Sequence, residues 1–533
     1  MGNNFGMKGY MKGALLLTIA ALIVKALSAV YRVPFQNLVG DQGFYIYQQV
    51  YPFISFFVVW TSGGFAVAIS KMLADAESSS HVMERKSTIT RTVYMYLTFL
   101  SLVFFCILFF GADSLATMMG DKQLAPLLKT GAFVTLFMPI LALMKGYFQA
   151  KGDMAPVAYA QVFEQFTRVC VILAGAYIIM ATSTSLYAAG NVAVFGTVIG
   201  EIAGMLLLIY FFKNRLKFPK SKIKLAKWPI IKEVTILSLS VSMSSLLLLC
   251  FQLIDSFSVF SILLENGMER LQAMETKGIY DRGQPLVQMG ITIASSLSLA
   301  IVPLVAYQSK KVNGRGPIPF IQLTYRVSLL LGVAASLGLV IVMPYVNEML
   351  FETNALTDVL IVFVLQIIPF SIILTFTAIL QGMNRLKVPG IILIGALLLK
   401  YIGNQVLITK IGVLGAAIAS NIGLFLSAGL LIFYLKKITQ AKLAKKDFYI
   451  KLFLASAMMT LTVFVMDKLL QISTVFLSGR IQALVIGGCL IFLGAIVFLT
   501  VVAKTKMLAE KEWFMLPFGR KMAAYQIWLN KKK

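Results

Sequence analysis

A threonine, a lysine and an arginine recur at seven-residue intervals in the apolar segment Gly13–Val33. Thr18, Lys25 and Arg32 are about two helical turns apart, so they lie on one face of a helix. On insertion scales, each cation at the centre of a membrane helix costs about 2.5–3.5 kcal/mol. This cost is tolerated where the face lines a watery cavity or meets an anionic ligand. The spacing therefore predicts an anion-binding face and favours a transporter of a negatively charged molecule.

Two later apolar segments, the seventh and the eighth, also carry polar side chains at helical spacing. Their hydroxyl, amide and guanidinium groups can line a polar cavity together with the cationic face of the first segment. Small polar residues also join membrane helices to one another, so a purely structural role stays open for each segment. The predicted ligand-binding set comprises Lys25, Arg32, Ser242, Gln252, Asp255, Arg282, Gln284 and Gln288.

The fifth apolar segment contains an acid and a base one helical turn apart. Glu164 and Arg168 are spaced i, i+4, so they can pair directly on a helix. We interpret them as a structural ion pair that locks helix packing, with a role in coupling as the alternative. Three other intramembrane charges are interpreted as isolated and outside the ligand-binding set: Glu201, Arg326 and Lys400.

The residue types that enzymes and metal sites need are scarce in this chain. The single histidine, His81, lies in a polar loop, and the four cysteines lie within apolar runs without metal-ligand spacing. The sequence has no Walker loop, nucleophile elbow or pair of catalytic carboxylates. We therefore expect no enzyme activity, no catalytic residue, no metal and no cofactor. A monovalent cation or the membrane potential is the candidate driving force.

The composition is that of a multi-pass membrane protein. The chain has 533 residues, of which 59% are hydrophobic and 13% charged, and its mean hydropathy is +0.85. Soluble domains carry about 25% charged residues, so water-soluble classes are excluded. The formal charge of +26 lies mostly in short segments between apolar runs, which argues for membrane topology rather than nucleic-acid binding.

Apolar runs of about 20 residues predict an all-α polytopic membrane protein with about fourteen transmembrane helices. Same-topology repeats are a common transporter plan, and Met138–Pro156 has a faint counterpart in Ile368–Pro389. We therefore predict two six-helix lobes related by a parallel pseudo-two-fold axis, followed by two C-terminal helices. The predicted parts are an N-lobe (1–215), a C-lobe (216–437), helices 13 and 14 (438–505) and a basic cytoplasmic or interfacial tail (506–533).

Four strings of the sequence carry a resemblance to a known family: "KALSAVYRVPFQNLVGDQGFYIYQQVYP" (Lys25–Pro52), "SGGFAVAISKMLAD" (Ser62–Asp75), "KGYFQAKGDMAPVAYAQVFEQ" (Lys145–Gln165) and "YDRGQPLVQMGITIASSLSLAIVPLVA" (Tyr280–Ala306). The chain resembles the multidrug/oligosaccharidyl-lipid/polysaccharide exporter superfamily. Within it, the strings are similar to the branch of MurJ-, SpoVB- and YtgP-like flippases for lipid-linked oligosaccharides. The resemblance covers helices 1–12, and helices 13 and 14 only by hydropathy.

The resemblance implies a flippase that moves an undecaprenyl-pyrophosphate-linked saccharide, above all the peptidoglycan precursor lipid II, to the outer leaflet by alternating access. It implies a central cavity in which Lys25, Arg32 and Arg282 bind the pyrophosphate. The helix-2 stretch Pro52–Ser62 departs from the family pattern because it has no basic residue. A bacterial plasma membrane, lipid partners and association with cell-wall synthesis proteins are further expectations from the resemblance.

Besides a non-transport scaffold or regulator, two other functions stay open on the sequence. One is a flippase of the same superfamily for a capsule, teichoic or other polysaccharide unit. The other is a cation-coupled multidrug exporter. Such exporters favour acidic cavity residues for cationic drugs, whereas the first helix here offers two cations and no acid.

The distribution of lysine and arginine predicts that both termini are cytoplasmic, because short basic loops stay on the cytoplasmic side. A reporter fused after Lys224 should therefore read cytoplasmic, and a reporter inserted at Met274 should read external. Reporter activity in intact cells measures both positions, and the opposite reading at either one would overturn this topology.

Overall fold

The computed structural model describes residues 7–78, 82–182, 185–213, 226–299, 318–383, 385, 387–440, 442–473, 479–516 and 519–531. Within these ranges, the side chains of residues 7–15, 18 and 295–299 are not described. The Thr18 side chain, His81 and Lys224 therefore lie outside the described parts.

Across the described ranges every regular element is helical, as predicted. Helices satisfy all their backbone hydrogen bonds internally, which a hydrocarbon environment requires. Twelve helices in these ranges are long and apolar enough to cross a membrane. One of them, Ile19–Asp75, has 57 residues and contains a break at Gly40, where φ is 68°. The protein is thus a multi-pass membrane protein, and the count of fourteen spans stays a prediction.

The chain forms two compact units, Met1–Asp281 and Arg282–Lys533. The first unit contains α1 (Met7–Val30), α2 (Arg32–Val59), α3 (Ala66–Asp75), α4 (Val82–Phe110), α5 (Ala112–Met118), α6 (Ala125–Ala150), α7 (Ala155–Thr182), α8 (Leu186–Phe212), α9 (Lys227–Glu265) and α10 (Arg270–Asp281). The second contains α11 (Gly283–Leu299), α12 (Ile318–Phe351), α13 (Thr357–Val364), α14 (Ile367–Gly382), α15 (Lys387–Ile411), α16 (Val413–Thr439), α17 (Lys446–Ser473), α18 (Gly479–Lys504), α19 (Glu510–Trp513) and α20 (Gly519–Asn530).

The boundary between the compact units differs from the lobe boundary predicted after residue 215. Helix α9 packs against α2 and α3, and α10 packs against α2, so both helices belong to the first compact unit. The compact units are defined by which helices pack together, whereas the predicted lobes are defined by a repeat in the sequence. The lobes defined by the repeat therefore stay a prediction.

The first membrane-spanning stretch is not one straight helix. Tyr31 separates α1 from α2 but keeps right-handed helical angles, so the seven-residue stripe continues through the junction. Gly40 then breaks the helix with a left-handed φ of 68°, a conformation that favours glycine. Further along, Trp60–Phe65 forms a π-helix before α3 begins. Such π-helical turns are rare and frequently occur at functional sites.

Helix α10 is held against α2 by a very close backbone approach. A Cβ atom added to Gly278 would lie 2.1 Å from the backbone oxygen of Asp41, the residue after the break. The start of α10 is fixed by Arg270, whose guanidinium lies 2.7 Å from the buried carboxylate of Asp121. These two contacts position the polar residues at the end of α10.

The C-terminal tail is folded onto the second unit. The buried Trp513 donates from Nε1 to Oε1 of Gln526 at 2.7 Å, and Gln526 Nε2 donates to the Leu508 carbonyl at 3.2 Å. Phe514 and Trp528 are exposed, which is typical of an interfacial segment. Phe518, which the sequence placed in the same segment, lies outside the described residues.

Gly278→Ala should destabilise the protein, because the backbone oxygen that meets the added methyl cannot rotate away. Overpacking of this kind typically costs about 1–3 kcal/mol. We expect a melting temperature several degrees lower for the purified protein in detergent. Gly63→Ala is the matched control, since an added Cβ there meets nothing within 4 Å. Equal melting temperatures for the two variants would contradict the close approach.

Candidate anion-binding site

Arg32 at the start of α2 is 1% exposed and is surrounded by tyrosines. Its guanidinium carbon lies 4.4 Å from the centre of the Tyr51 ring. The hydroxyl groups of Tyr31 and Tyr47 share a hydrogen bond of 2.8 Å. The Nε atom of Arg32 has no hydrogen-bond partner, and Arg32 forms no ion pair with any carboxylate in the described part of the chain.

This environment leaves the positive charge of Arg32 only partly compensated. An aromatic ring attracts a cation, by about 2 kcal/mol in a desolvated setting. Removing a full charge from water costs several kcal/mol, which a ring alone does not offset. A phosphate-type anion fits the guanidinium well because it accepts two parallel N–H donors. Binding of an oxyanion by Arg32 stays a prediction.

The end of α10 contributes a second buried polar group. Lys277 Nζ lies 2.5 Å from Asp281 Oδ1, and Tyr280 donates to Asp255 Oδ2 at 2.8 Å. Burial raises the pKa of the Asp281 carboxyl to about 6, against the opposing effect of Lys277. The charge of Asp255 also raises this pKa, and Arg32 lowers it. Asp281 and Arg32 are thus electrostatically linked without forming an ion pair.

The other predicted ligands of the first unit occupy different surroundings. Lys25 is exposed on α1. Ser242 is buried, donates to the Ser238 carbonyl at 2.7 Å and lies beside Gly64 of the π-helix. Gln252 is also buried. Their assignment to one ligand site stays a prediction.

In the second unit, Arg282 supports the connection between α12 and α13. It is fully buried, donates to Asn347 Oδ1 at 3.1 Å and lies 4.8 Å from the centre of the Phe351 ring. Asn347 in turn donates to the Ala355 carbonyl at 3.0 Å. Gln284 is buried, and Gln288 is half-buried. These contacts give Arg282 a packing role within its own unit, and its role as a ligand stays a prediction.

The Glu164–Arg168 pair is formed and belongs to a larger buried network. Arg168 Nη2 lies 3.0 Å from Glu164 and 3.1 Å from Glu201. Lys145 on α6 lies 3.4 Å from the second oxygen of Glu164. Lys145 also donates to Ser62 of the π-helix at 2.8 Å. Two cations and two carboxylates therefore join α6, α7 and α8.

The three charges interpreted as isolated all have partners, so that interpretation was wrong. Glu201 pairs with Arg168, as described above. Arg326 on α12 forms two contacts with the Glu512 carboxylate of the tail, one of them at 3.2 Å. Lys400 is fully buried and donates to the Ala416 carbonyl at 2.9 Å and to Ser420 Oγ at 2.6 Å. Each partner comes from another helix, which the sequence pattern does not reveal.

Sequence reasoning also missed residues that shape the site. The sequence does contain a signal for the tyrosines around Arg32. Tyr47 and Tyr51 are one helical turn apart in the apolar string after Gly40, so they lie on the same face of the helix. Lys145 gave no such signal, whereas Lys277 and Asp281 are spaced i, i+4 in the sequence and could have been predicted as a pair. Within the described residues, no cluster of His, Cys, Asp or Glu is arranged to hold a metal ion.

Comparison with known proteins identifies the family. The family model described as "Polysaccharide biosynthesis protein" matches residues 10–307. The membrane protein YabM of Bacillus subtilis (strain 168) is 33% identical over 532 residues, which covers 98% of each chain. The chain belongs to this polysaccharide biosynthesis family. It is thereby a member of the exporter superfamily expected from the sequence, in its flippase branch.

Two further comparisons, one of sequence and one of structure, are with a lipid II flippase. The lipid II flippase MurJ of Bacillus subtilis (strain 168) is 23% identical over 439 residues, covering 78% of this chain and 80% of MurJ. A structure of lipid II flippase MurJ in an inward closed conformation has a TM-score of 0.68 at 16% identity, covering 92% of this chain and 99% of that one. The structural similarity shows that this chain shares the fold of that flippase.

Arg168→Ala should strongly reduce the amount of folded protein, because it leaves two buried carboxylates without their shared cation. Breaking a buried ion pair on one side costs about 3–5 kcal/mol. Immunoblots of membranes measure abundance, and Lys86→Ala serves as the control because its pair with Glu77 is largely exposed. Exposed pairs contribute about 0.2–1 kcal/mol. Equal abundance of the two variants would contradict a structural role for the network.

Proposed function

We propose that this polysaccharide biosynthesis family member is a flippase for an undecaprenyl-pyrophosphate-linked saccharide, with the peptidoglycan precursor lipid II as the preferred cargo. The observation that carries the proposal is the buried guanidinium of Arg32, which forms no ion pair with a described carboxylate. Lys145, Arg168 and Lys277 in the same unit each pair with an acid. A pyrophosphate supplies the negative charge that Arg32 lacks.

In this proposal, the protein binds and releases its cargo without chemistry on it. Arg32 donates hydrogen bonds to the phosphate oxygens, and the tyrosine hydroxyl groups beside it add further donors. The exposed Lys25, two turns earlier on the same helical face, attracts the anion before it reaches Arg32. An inside-negative membrane potential favours outward movement of negative charge by about 2.3 kcal/mol per charge per 100 mV. The membrane potential is therefore the proposed driving force.

A second candidate function is transport of another polyprenyl-linked polysaccharide unit. Pro52–Ser62 lacks the basic residue expected for lipid II, and the matching family is described by polysaccharide biosynthesis. Growth rescue in a strain depleted of its lipid II flippase distinguishes the two candidates. Rescue together with external lipid II supports the first candidate. Failure of an abundant wild-type protein to rescue supports the second.

Arg32→Ala should abolish growth rescue in such a depleted strain while leaving protein abundance close to normal. Arg32→Lys should retain part of the activity, because lysine keeps the charge but loses the guanidinium fork that matches phosphate. The measurements are colony growth, external lipid II and an immunoblot.

The control for this experiment is Arg91→Ala, which removes an exposed arginine from α4. It should rescue growth as the wild type does. Full rescue by Arg32→Ala at normal abundance would refute binding of the pyrophosphate by Arg32, whatever the identity of the saccharide.

A further inference from the structure

The second unit contains a charged pocket that is separate from the residues discussed above as ligands. It has a volume of about 660 Å³ and lies between α12, the connection from α16 to α17, and the segment that follows α18. Three carboxylates line it, those of Asp447, Glu510 and Glu512. Six cations also line it: Arg326, Lys442, Lys445, Lys451, Lys506 and Lys511. The pocket is therefore net positive.

Most of these cations are not neutralised by the protein itself. Arg326 pairs with Glu512, and Lys451 lies 2.7 Å from Asp447. The other four lysines form no ion pair with a carboxylate in the described part of the chain. They come from two separate segments that converge on one pocket, and such a concentration of positive charge favours an anionic ligand.

The wall of this pocket is a folded part of the protein. The hydrogen bonds of Trp513, Gln526 and Leu508 hold the tail in place, and Asn530 Nδ2 donates to the Ala503 carbonyl at 3.2 Å. The Arg326–Glu512 pair joins the tail to α12. The lysines at positions 506 and 511 are thus presented from a structured segment.

An apolar groove of about 680 Å³ runs along the same two helices that contribute to the pocket. Val333 and Leu337 of α12 and Leu452 and Phe453 of α17 line it. Val333 is two turns, about 10 Å, beyond Arg326 along α12. Leu452 directly follows Lys451, which lines the charged pocket. The lysines and the apolar groove therefore lie at successive positions along the same two helices, an arrangement that suits an anionic lipid.

We propose that the charged pocket and the groove together bind an anionic phospholipid of the membrane. Its phosphate lies among Lys442, Lys445, Lys506 and Lys511, and one acyl chain lies in the groove. The positive-inside pattern predicts that the tail and the connection from α16 to α17 are cytoplasmic. The cytoplasmic leaflet is rich in anionic lipids, and basic pockets between membrane helices on that side bind their head groups. This proposal is independent of the cargo proposed above.

The head-group site can be tested on the full-length protein purified in detergent. Phosphatidylglycerol should raise the melting temperature more than phosphatidylcholine does. In the variant Lys442→Gln/Lys506→Gln/Lys511→Gln, the extra increase in melting temperature given by phosphatidylglycerol over phosphatidylcholine should fall by at least half. The matched control Lys436→Gln/Lys437→Gln/Lys521→Gln removes the same charge from exposed positions outside the pocket and should keep the difference. Equal loss in both variants, or equal stabilisation by the two lipids, would overturn the proposal.

Two further arms identify the ligand as a lipid. Inorganic phosphate at the same concentration should raise the melting temperature much less than phosphatidylglycerol does. An equal increase would show that the pocket binds a soluble anion instead of a lipid. Ala457→Trp fills the groove, whereas Met458→Trp on the same helix lies outside it. Only Ala457→Trp should weaken stabilisation by long-chain phosphatidylglycerol. Identical behaviour of these two variants would exclude the acyl chain from the groove.

Discussion

The structure depends on how each charge inside an apolar helical bundle is compensated. An uncompensated buried ion costs several kcal/mol, which is comparable with the whole stability of many proteins. Lys145, Arg168 and Lys277 meet this constraint with carboxylates, and Lys400 meets it with a carbonyl and a hydroxyl group. Arg32 lies against the Tyr51 ring and near the hydroxyl groups of Tyr31 and Tyr47, and it forms no ion pair with a carboxylate in the described residues. A difference in compensation therefore separates Arg32 from the charges that hold the bundle together.

Local patterns predicted the parts of the molecule that depend on one helix. Hydropathy was sufficient for the all-helical fold, because a membrane protein must satisfy its backbone within each segment. The i, i+4 spacing of Glu164 and Arg168 was sufficient for their ion pair, because neighbouring turns of one helix bring these side chains together. The helical path from Lys25 to Arg32 is also continuous, since Tyr31 keeps helical angles between α1 and α2.

Contacts between distant segments were not predictable in this way. Glu201 is 33 residues from Arg168, Asn347 is 65 residues from Arg282, and Glu512 is 186 residues from Arg326. Spacing along the chain contains no information about such pairs until the helices are packed. For the same reason, the sequence predicted only a basic cytoplasmic or interfacial tail, whereas Trp513 and Gln526 give this tail a hydrogen-bonded interior. That interior converts part of a basic tail into the wall of a pocket.

The contact between α2 and α10 combines two glycines that are needed for different reasons. Gly40 has a left-handed φ, although an added Cβ there would meet nothing within 4 Å. Gly278 has ordinary helical surroundings, but an added Cβ would collide with the Asp41 backbone. Gly40 is restricted by its backbone conformation, and Gly278 is restricted by the volume left beside Asp41. A side chain at position 40 therefore requires a different backbone path, whereas a side chain at position 278 requires a wider separation of α2 and α10.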